Sequence, residues 1–254
     1  MKITVLGSGT SQGVPVIGCD CEVCSSKSSF DNRLRCSILI EYNGENYVID
    51  SGPDFRQQML RANVKSLRGI IFTHEHKDHV AGLDDVRAFN FLENRVMDIY
   101  CSQAVETALR QEFHYVFEGN SYPGIPLLNL IRIENEAFTL PNELNVLPIE
   151  VMHYKMPVFG FRLGDFAYIT DAKTVAPEEI EKLIGVKTLI VNALQMEEHI
   201  SHFTLDEALD FISKVNPEQA FLTHISHRFG THSEIEQMLP DHIRVAYDGQ
   251  IFQF

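Results

Sequence analysis

The sequence has no excess of basic residues and no long apolar run. Its 254 residues include 21 Lys and Arg against 35 Asp and Glu, a formal net charge of −14. This charge repels polyanions and slows non-specific association with nucleic acid or anionic membranes. No apolar run approaches the roughly 20 residues that span a bilayer, and the first strand-like segment meets Gly7 too early for a signal-peptide core. We therefore expect a cytoplasmic protein with neither a membrane nor a nucleic acid as partner.

Repeats, low-complexity stretches and linkers are also missing from the sequence. About thirteen strand-like segments and six helix-like segments alternate along the whole chain. A chain of this length buries roughly 70–75% of its unfolded surface, which is enough for one large domain. Early strands pair as hairpins, and helices follow the later strands. The pattern predicts a single α/β domain over residues 1–254, with two mixed sheets packed together and covered by helices.

Cysteine is scarce, yet three of the five cysteines, Cys19, Cys21 and Cys24, stand within six residues. Such close thiols do not easily pair with each other, and a reducing compartment leaves them as thiols or metal ligands. They lie in Ser8–Leu34, the longest stretch with no clear regular structure, and loops of that length usually need an additional constraint. We therefore predict that a metal clips residues 8–34 to the domain. A second irregular stretch, Gly119–Pro126, is interpreted as a rim or lid loop.

Histidines cluster after one predicted buried strand. His74, His76, Asp78 and His79 follow this strand and precede a predicted helix over Val80–Phe91. A strand that ends in His-x-His-x-Asp-His presents four metal-binding side chains at one edge of a sheet. The motif resembles the signature of the metallo-β-lactamase superfamily, which implies an αββα sandwich.

The same resemblance implies a two-metal site completed by single residues that follow later strands. His153, Asp171 and His224 stand at such positions. The resemblance assigns His74, His76 and His153 to one metal and Asp78, His79 and His224 to the other, with Asp171 as the bridge. Two divalent cations about 3.5–4 Å apart lower the pKa of a shared water, which attacks the ester. A ligand set of only oxygen and nitrogen suits Mn²⁺ as well as Zn²⁺.

Two features narrow the choice within the superfamily. Lactam-hydrolysing members tend to carry a cysteine at the position of Asp171 and a signal peptide, so hydrolysis of antibiotics is not expected and phosphodiester or thioester hydrolysis remains. The segment from Gly13 to Cys24 resembles the PhnP-type phosphodiesterases, which act on phosphoribosyl 1,2-cyclic phosphate. This resemblance implies one structural zinc, held by Cys19, Cys21, Cys24 and His227.

His202 precedes a predicted helix at a place where phosphodiesterase members of the superfamily carry a histidine that contacts the scissile phosphate. The resemblance implies that His202 protonates the leaving group, which is worth roughly 10²–10⁴ in rate. We assign catalytic roles to His202 and Asp78. His199 is a competing candidate in a more solvated context. Three residues adjoin proposed ligands and could contact a phosphate, although such residues are more often surface groups: Tyr154, Lys155 and Arg228.

Three functions stay open at this point. The leading hypothesis is hydrolysis of a small, cyclic phosphodiester as the partner molecule. An RNA endonuclease similar to tRNase Z would use the same seven ligands, but the acidic charge disfavours a long polyanion. The third function is that of a metal-stabilised binding or carrier protein similar to PqqB. The loss of a catalytic metal ligand would favour it, but all seven expected ligands are present in the sequence. The sequence is compatible with a homodimer and names neither the physiological substrate nor the native metal.

Overall fold

The structure, a computed structural model, describes residues 1–118 and 123–254. Residues 119–122 of the predicted rim loop Gly119–Pro126 therefore lie outside the described residues. The two described ranges form two β-sheets and the helices that cover them.

The first sheet has seven strands, of which four come from the first third of the chain. They are β1 (Lys2–Gly7), β2 (Ser37–Tyr42), β3 (Glu45–Ile49), β4 (Gly69–Ile71), β5 (Met97–Cys101), β6 (Leu128–Arg132) and β15 (Ile251–Gln253). Their order across the sheet is β15-β1-β2-β3-β4-β5-β6. Pairing is antiparallel from β15 to β3 and parallel from β3 to β6. The sheet is therefore mixed, as predicted.

The second sheet is built from the later strands. They are β7 (Phe138–Thr139), β8 (Asn145–His153), β9 (Met156–Leu163), β10 (Phe166–Ile169), β11 (Thr174–Val175), β12 (Thr188–Asn192), β13 (Gln219–Thr223) and β14 (Ile243–Val245). The order is β11-β8-β9-β10-β12-β13-β14, and β7 pairs with β8. β8, β9 and β10 form an antiparallel meander, whereas β10, β12, β13 and β14 run parallel.

Eight short α-helices lie between the strands. They are α1 (Phe55–Arg61), α2 (Lys77–Val80), α3 (Arg87–Glu93), α4 (Gln103–Glu112), α5 (His114–Phe117), α6 (Pro177–Glu181), α7 (Leu205–Val215) and α8 (His232–Met238). Two 3₁₀ turns are also present, at Ser29–Asp31 and Leu83–Val86. None of the helices in the described ranges has the length and apolar character needed to cross a membrane.

Alternation along the strands sorts the apolar residues into three cores, which shows the layer order. In β2, Ile38 and Ile40 face a core shared by the two sheets, while Leu39 packs against the first helices. In β10, Tyr168 joins the shared core, and Ile169 faces a third core with the later helices. Because side chains alternate across a strand, each sheet buries both faces. The fold is the αββα sandwich that the sequence predicts.

Carboxyl ends of strands from both sheets meet at one edge of this sandwich. β3 and β4 are parallel in the first sheet, and β10, β12 and β13 are parallel in the second. β8 points the same way as β10, because β9 is antiparallel to both. Ligands bind outside the carboxyl ends of strands in open sheets with parallel strands, so this edge is where a site is expected.

The predicted helix Val80–Phe91 is wrong as a single element. The helix begins earlier, at Lys77, and stops after Val80. Gly82 then packs against the loop after β3: its backbone N–H donates to the Ser51 carbonyl at 2.8 Å, and a Cβ on Gly82 would lie 2.1 Å from the Gly52 oxygen. This close approach interrupts the helix, which resumes through the 3₁₀ turn into α3.

The stretch Ser8–Leu34 is held by polar contacts in addition to its cysteines. The Asp248 carboxylate accepts hydrogen bonds from the backbone N–H groups of Ser8 and Leu34, both at 2.9 Å. The Arg33 guanidinium is buried and donates to the Ser8 hydroxyl at 2.8 Å. A metal would therefore be one of several constraints on this stretch, and its role as the clip stays a prediction.

Candidate metal centres and the pockets beside them

Seven side chains with metal-binding groups gather at the edge where the strands end. His74 follows β4, His153 ends β8, Asp171 follows β10, and His224 follows β13. The three remaining members of the sequence-predicted set lie in or directly before α2: His76, Asp78 and His79. Four chain segments, one that follows a strand of the first sheet and three at strand ends of the second, thus contribute to one cluster, which we call the histidine–aspartate centre.

A hydrogen bond occupies Nδ1 of the four buried imidazoles in this centre. His79 Nδ1 lies 2.7 Å from Asp50 Oδ2, and His153 Nδ1 lies 2.8 Å from the Ser201 carbonyl. His74 Nδ1 is 2.9 Å from the Thr73 hydroxyl, which itself donates to Asp50 at 2.8 Å. These partners accept a proton from Nδ1, so the lone pair of each ring lies on Nε2. Such hydrogen bonds orient histidine ligands toward a metal.

The fourth ring, His224, follows the same rule through a threonine. The Thr170 hydroxyl donates to Asp171 Oδ2 at 2.5 Å and lies 3.2 Å from His224 Nδ1. In the described part of the chain, Nε2 of His74, His79 and His224 is buried with no hydrogen-bond partner. An unpaired buried polar atom is costly unless something satisfies it. Three unpaired imidazole nitrogens beside carboxylates are a donor set that fits divalent cations.

Asp171 is the hub of the histidine–aspartate centre. Its carboxylate lies 3.3 Å from both His79 Nε2 and His224 Nδ1. In this centre, three sets of side chains have ligand atoms that all lie within 4.8 Å of one another. Asp171 belongs to each set, together with His74 and His79, with His153 and His202, and with Asp78 and His224. A carboxylate that is close to all of these side chains has the position expected of a bridging ligand.

The charges of the centre also favour cations. Burial opposes the charge of Asp171, but His224 and His79 more than offset this and hold its pKa well below the ordinary value. Burial likewise opposes the charge of Asp78, and His79 again lowers the pKa. For His79 itself, burial is outweighed by Asp50 and Asp171, which raise its pKa well above the ordinary value. Carboxylates that keep their negative charge in a buried site need positive partners. Without an ion, protonated His79 is one such partner, and a cation bound at Nε2 would take the place of that proton.

The division of ligands between two ions is less clear than their gathering. The His76 ring is exposed, with its centroid 4.7 Å from that of His74 and 5.1 Å from that of His153. Ligand atoms of His74, His79 and Asp171 all lie within 4.8 Å of one another, whereas His76 and His153 are not part of this set. The assignment of each residue to one ion or the other therefore stays a prediction.

His202 lies directly beside the histidine–aspartate centre. Its ring centroid is 4.5 Å from that of His153 and 4.7 Å from that of His224. Its Nδ1 is buried without a hydrogen-bond partner in the described ranges and lies 3.7 Å from Asp171 Oδ1. Burial, together with His224, lowers the pKa of His202 to about 2. His199 lies next to His202, with the two ring centroids 5.1 Å apart.

The three cysteines and His227 form a second group, which we call the cysteine centre. Cys19 Sγ and Cys21 Sγ lie 3.2 and 3.5 Å from His227 Nδ1, and all four ligand atoms lie within 4.8 Å of one another. Zinc–sulfur bonds of about 2.3 Å in a tetrahedron place sulfur atoms about 3.8 Å apart. The donor set therefore fits zinc. Cys24 Sγ also accepts a hydrogen bond from the Val16 backbone at 3.3 Å.

Sequence reasoning missed the residues that orient the ligands, above all Asp50. Asp50 is fully buried and accepts hydrogen bonds from His79, from the Thr73 hydroxyl and from the Thr73 backbone. Burial raises its pKa, although His79 opposes the rise. The sequence does carry a signal for it, because Asp50 directly follows β3 as the proposed ligands follow their strands.

Two pockets open beside the histidine–aspartate centre. The smaller, of about 250 Å³, is polar and contains His202, His227 and Arg228 in its wall. The larger groove, of about 600 Å³, contains His153 and the turn that carries Tyr154. The structure thus places the three residues proposed as phosphate contacts on two sides of the centre: Arg228 lines the smaller pocket, and Tyr154 and Lys155 line the groove.

Comparison with protein families identifies this architecture. The model described as "Beta-lactamase superfamily domain" matches residues 45–225. The match begins with β3 and ends one residue beyond His224, so it contains all seven residues of the histidine–aspartate centre. The four residues of the cysteine centre lie outside it.

Similar proteins were found among both solved structures and curated sequences. A diphosphatase from the PhnP family superposes with a TM-score of 0.93 and 37% identity, covering 100% of this chain and 97% of that one. Zn²⁺-bound PqqB from Methylobacterium extorquens superposes with a TM-score of 0.79 and 19% identity over 100% of both chains, which shows the shared fold. An octanoyltransferase from Porphyromonas gingivalis (strain ATCC BAA-308 / W83) is 42% identical over 251 residues, 98% of this chain and 51% of that protein. The chain spans about half the length of the curated relatives it matches.

Proposed function

The chain belongs to the metallo-β-lactamase superfamily, close to its PhnP family, and from this premise we propose that it hydrolyses a small phosphodiester. Membership of the superfamily makes it a metal-dependent hydrolase. The phosphodiester bond, and a cyclic ribose phosphate as the compound that carries it, are our proposal. The observation that supports it most is the position of Asp171 among three buried imidazole nitrogens without hydrogen-bond partners.

The residues of the histidine–aspartate centre would hold two divalent cations, either Mn²⁺ or Zn²⁺. When bound, such a pair lowers the pKa of a shared water and neutralises charge on the attacked ester. The contribution of the chain is orientation: Asp50, Thr73 and Ser201 fix the rings of His79, His74 and His153 with Nε2 facing inward. Fixed rings cost no reorganisation when the substrate arrives.

His202 is positioned to act on the leaving group. It lies at the edge of the centre and lines the smaller pocket, so a leaving oxygen that enters this pocket comes within reach of the ring. A ring with a lowered pKa is neutral at pH 7 and can donate one hydrogen bond. An anionic phosphate beside it favours the protonated form, which is the form a general acid needs. Asp78, 3.2 Å from His79 Nε2, remains a candidate catalytic residue.

The alternatives are less well supported. An RNA endonuclease needs a basic surface for a polyanion, whereas Lys155 and Arg228 are the only lysine or arginine residues among the described residues that line the two pockets. A carrier without catalysis does not explain why seven ligand side chains are present with oriented rings. A small substrate is therefore favoured, with neither nucleic acid nor membrane as partner.

A turnover screen tests this proposal. Protein loaded with Mn²⁺ or Zn²⁺ is assayed against cyclic ribose phosphates, 2′,3′-cyclic nucleotides, bis(p-nitrophenyl) phosphate, a nucleoside diphosphate ester and an octanoyl thioester. The last two probes test the activities named for similar proteins. We expect diester hydrolysis and much slower hydrolysis of p-nitrophenyl phosphate, because a monoester carries a second negative charge. Faster turnover of the monoester, or of the thioester, contradicts the proposal.

The same assay with His202→Ala tests the leaving-group assignment. Substrates with an alkoxide leaving group should lose roughly 10²–10⁴ in kcat, whereas a p-nitrophenolate needs little protonation and should lose much less. Equal losses on both classes would mean that His202 binds phosphate and does not protonate the leaving group. His199→Ala tests the competing assignment, because His199 lies next to His202 and lines the same pocket: the same selective loss in this variant would move the role to His199.

A further inference from the structure

The larger groove has an apolar wall that the hydrolysis of a phosphodiester does not require. His76 and His153 line it together with Tyr154, Met156, Pro157 and Ile200. Because two of these lining residues are proposed metal ligands, the groove is continuous with the histidine–aspartate centre. A substrate that reacts at the centre can therefore extend into the groove.

Tyr154 is held in this groove by an unfavourable backbone conformation. It occupies the tight turn between β8 and β9 with a φ of +58°, a region that favours Gly or Asn over an aromatic residue. Its side chain is 51% exposed, so burial in the core does not account for the tyrosine. Strained residues that persist in such positions cluster at functional sites. Tyr154 directly follows the proposed ligand His153 in the chain, and both residues line the groove.

Two further contacts give the groove its chemical character. Ile200 is 64% exposed and lies beside Ser201, whose carbonyl fixes the His153 ring. The Lys155 ammonium lies 5.2 Å from the centre of the Tyr154 ring, within the range of a cation–π contact. A flat phenol face, an exposed aliphatic side chain and a nearby cation together suit a planar ring attached to an anion.

The smaller pocket has a more polar wall. Thr10, Ser11, Gln12 and Gln195 contribute polar groups to its wall, and His202 is part of it but not of the groove. Because His202 is assigned to the leaving oxygen, the departing part of the substrate belongs in the smaller pocket. The groove then receives the part that remains on the phosphate.

We propose that Tyr154 and Ile200 bind a planar ring, such as a nucleobase, on the part of the substrate that stays attached to the phosphate. The proposal rests on the phosphodiesterase function argued above and specifies its substrate class as an acyclic nucleotide ester, in place of the cyclic ribose phosphate. The nucleoside lies in the groove, and a small polar leaving group departs through the pocket. Tyr154 is accordingly a specificity-determining residue that contacts substrate.

Two esters with the same leaving group test this assignment. Thymidine 5′-(p-nitrophenyl phosphate) carries a base on the retained side, whereas methyl p-nitrophenyl phosphate carries only a methyl group. We expect the metal-loaded protein to prefer the thymidine ester about ten-fold in kcat/KM, the size of one base–aromatic stacking contact. Tyr154→Asn, which suits the left-handed backbone, should remove most of this preference through KM, and Tyr154→Phe should retain it.

The control and the second readout separate this inference from the proposed function. Ile200→Ser should weaken the preference, while Ile184→Ser, at a similarly exposed isoleucine outside the groove, should not. Calorimetric binding of thymidine 5′-phosphate against methyl phosphate gives the same comparison without turnover. If neither ester is hydrolysed but thymidine 5′-phosphate binds more tightly and Tyr154→Asn abolishes the difference, the proposed function fails and the groove assignment holds. Equal binding of both ligands, or equal losses on both esters in Tyr154→Asn, overturns the assignment.

Discussion

The two candidate metal centres are built by opposite strategies. The histidine–aspartate centre draws its ligands from four chain segments at the ends of strands in both sheets, and most of them are buried, with four rings fixed by hydrogen bonds. The cysteine centre takes three of its four ligands from one loop, and its members are half-buried or exposed. The fold alone therefore orients the first set of ligands. We expect the second set to need an ion for a fixed arrangement, as closed structural zinc sites do.

One short segment connects the two centres. His224 belongs to the first and His227 to the second, and Ile225 between them exchanges backbone hydrogen bonds with the start of the N-terminal loop: Ile225 donates to Ser8 and Thr10 donates to Ile225, both at 3.0 Å. The loop is thus fastened beside the reacting groups even without its cysteines. The difference between the centres can be tested by removing one residue from each in turn.

Asp171→Ala should have the largest effect on activity. Asp171 belongs to all three sets of closely spaced ligand atoms in the histidine–aspartate centre. Residues that only orient a ligand change metal affinity or activity by up to roughly 100-fold. The loss of Asp171 should therefore lower turnover by more than this amount. Metal analysis should show the loss of the ions of that centre together with activity, while one zinc remains in the cysteine centre. Full activity, or loss of all metal, would contradict the independence of the two centres.

Asp50→Asn should have the next largest effect, although Asp50 touches no metal in our assignment. The amide cannot accept from His79 and from Thr73 as the carboxylate does, so the His79 ring loses its fixed orientation. We expect metal affinity or activity to fall by roughly 10–100-fold, measured by metal titration.

Asp98→Asn is the matched control for Asp50→Asn. Asp98 lies on β5 and is also a buried carboxylate, but it forms an ion pair with Arg68 away from the centre. This variant should change stability and leave the metal titration as in the wild type. Equal shifts in both variants would mean that the effect of Asp50 is general destabilisation.

Cys21→Ser should affect stability more than activity. It should lose one equivalent of zinc and make Ser8–Leu34 more sensitive to protease, because the loop then depends on its protein contacts alone, among them those with Asp248 and Ile225. The melting temperature should fall by roughly 2–4 °C for each kcal/mol lost. Activity should decline less than in Asp171→Ala, since the seven residues of the other centre are untouched.

Cys101→Ser makes the same chemical change at a buried strand residue outside the cysteine centre. It should retain every equivalent of zinc. Unchanged zinc content and melting in Cys21→Ser would leave the three cysteines without a metal-binding role, and the two centres would no longer differ as described.

Much of this protein could be inferred from local patterns. The motif from His74 to His79 resembles the metallo-β-lactamase signature, and that resemblance implied both the sandwich and a ligand set that includes Asp171. The ligands gather because the carboxyl ends of the parallel strands lie at one edge. The cysteine spacing likewise predicted the thiol cluster. These features are local: a strand, its end and a short spacing are written in consecutive residues.

Only the tertiary structure decided the features that depend on distant contacts. The break in the predicted helix at Gly82 comes from its packing against Gly52, thirty positions earlier in the chain, and the role of Asp50 comes from its contact with His79. The left-handed backbone of Tyr154 depends on the register of β8 against β9, which leaves only two residues to connect these strands. A sequence determines which residues carry metal-binding chemistry. Which of them are oriented, and what lies beside them, is determined by close packing between segments that no local pattern records.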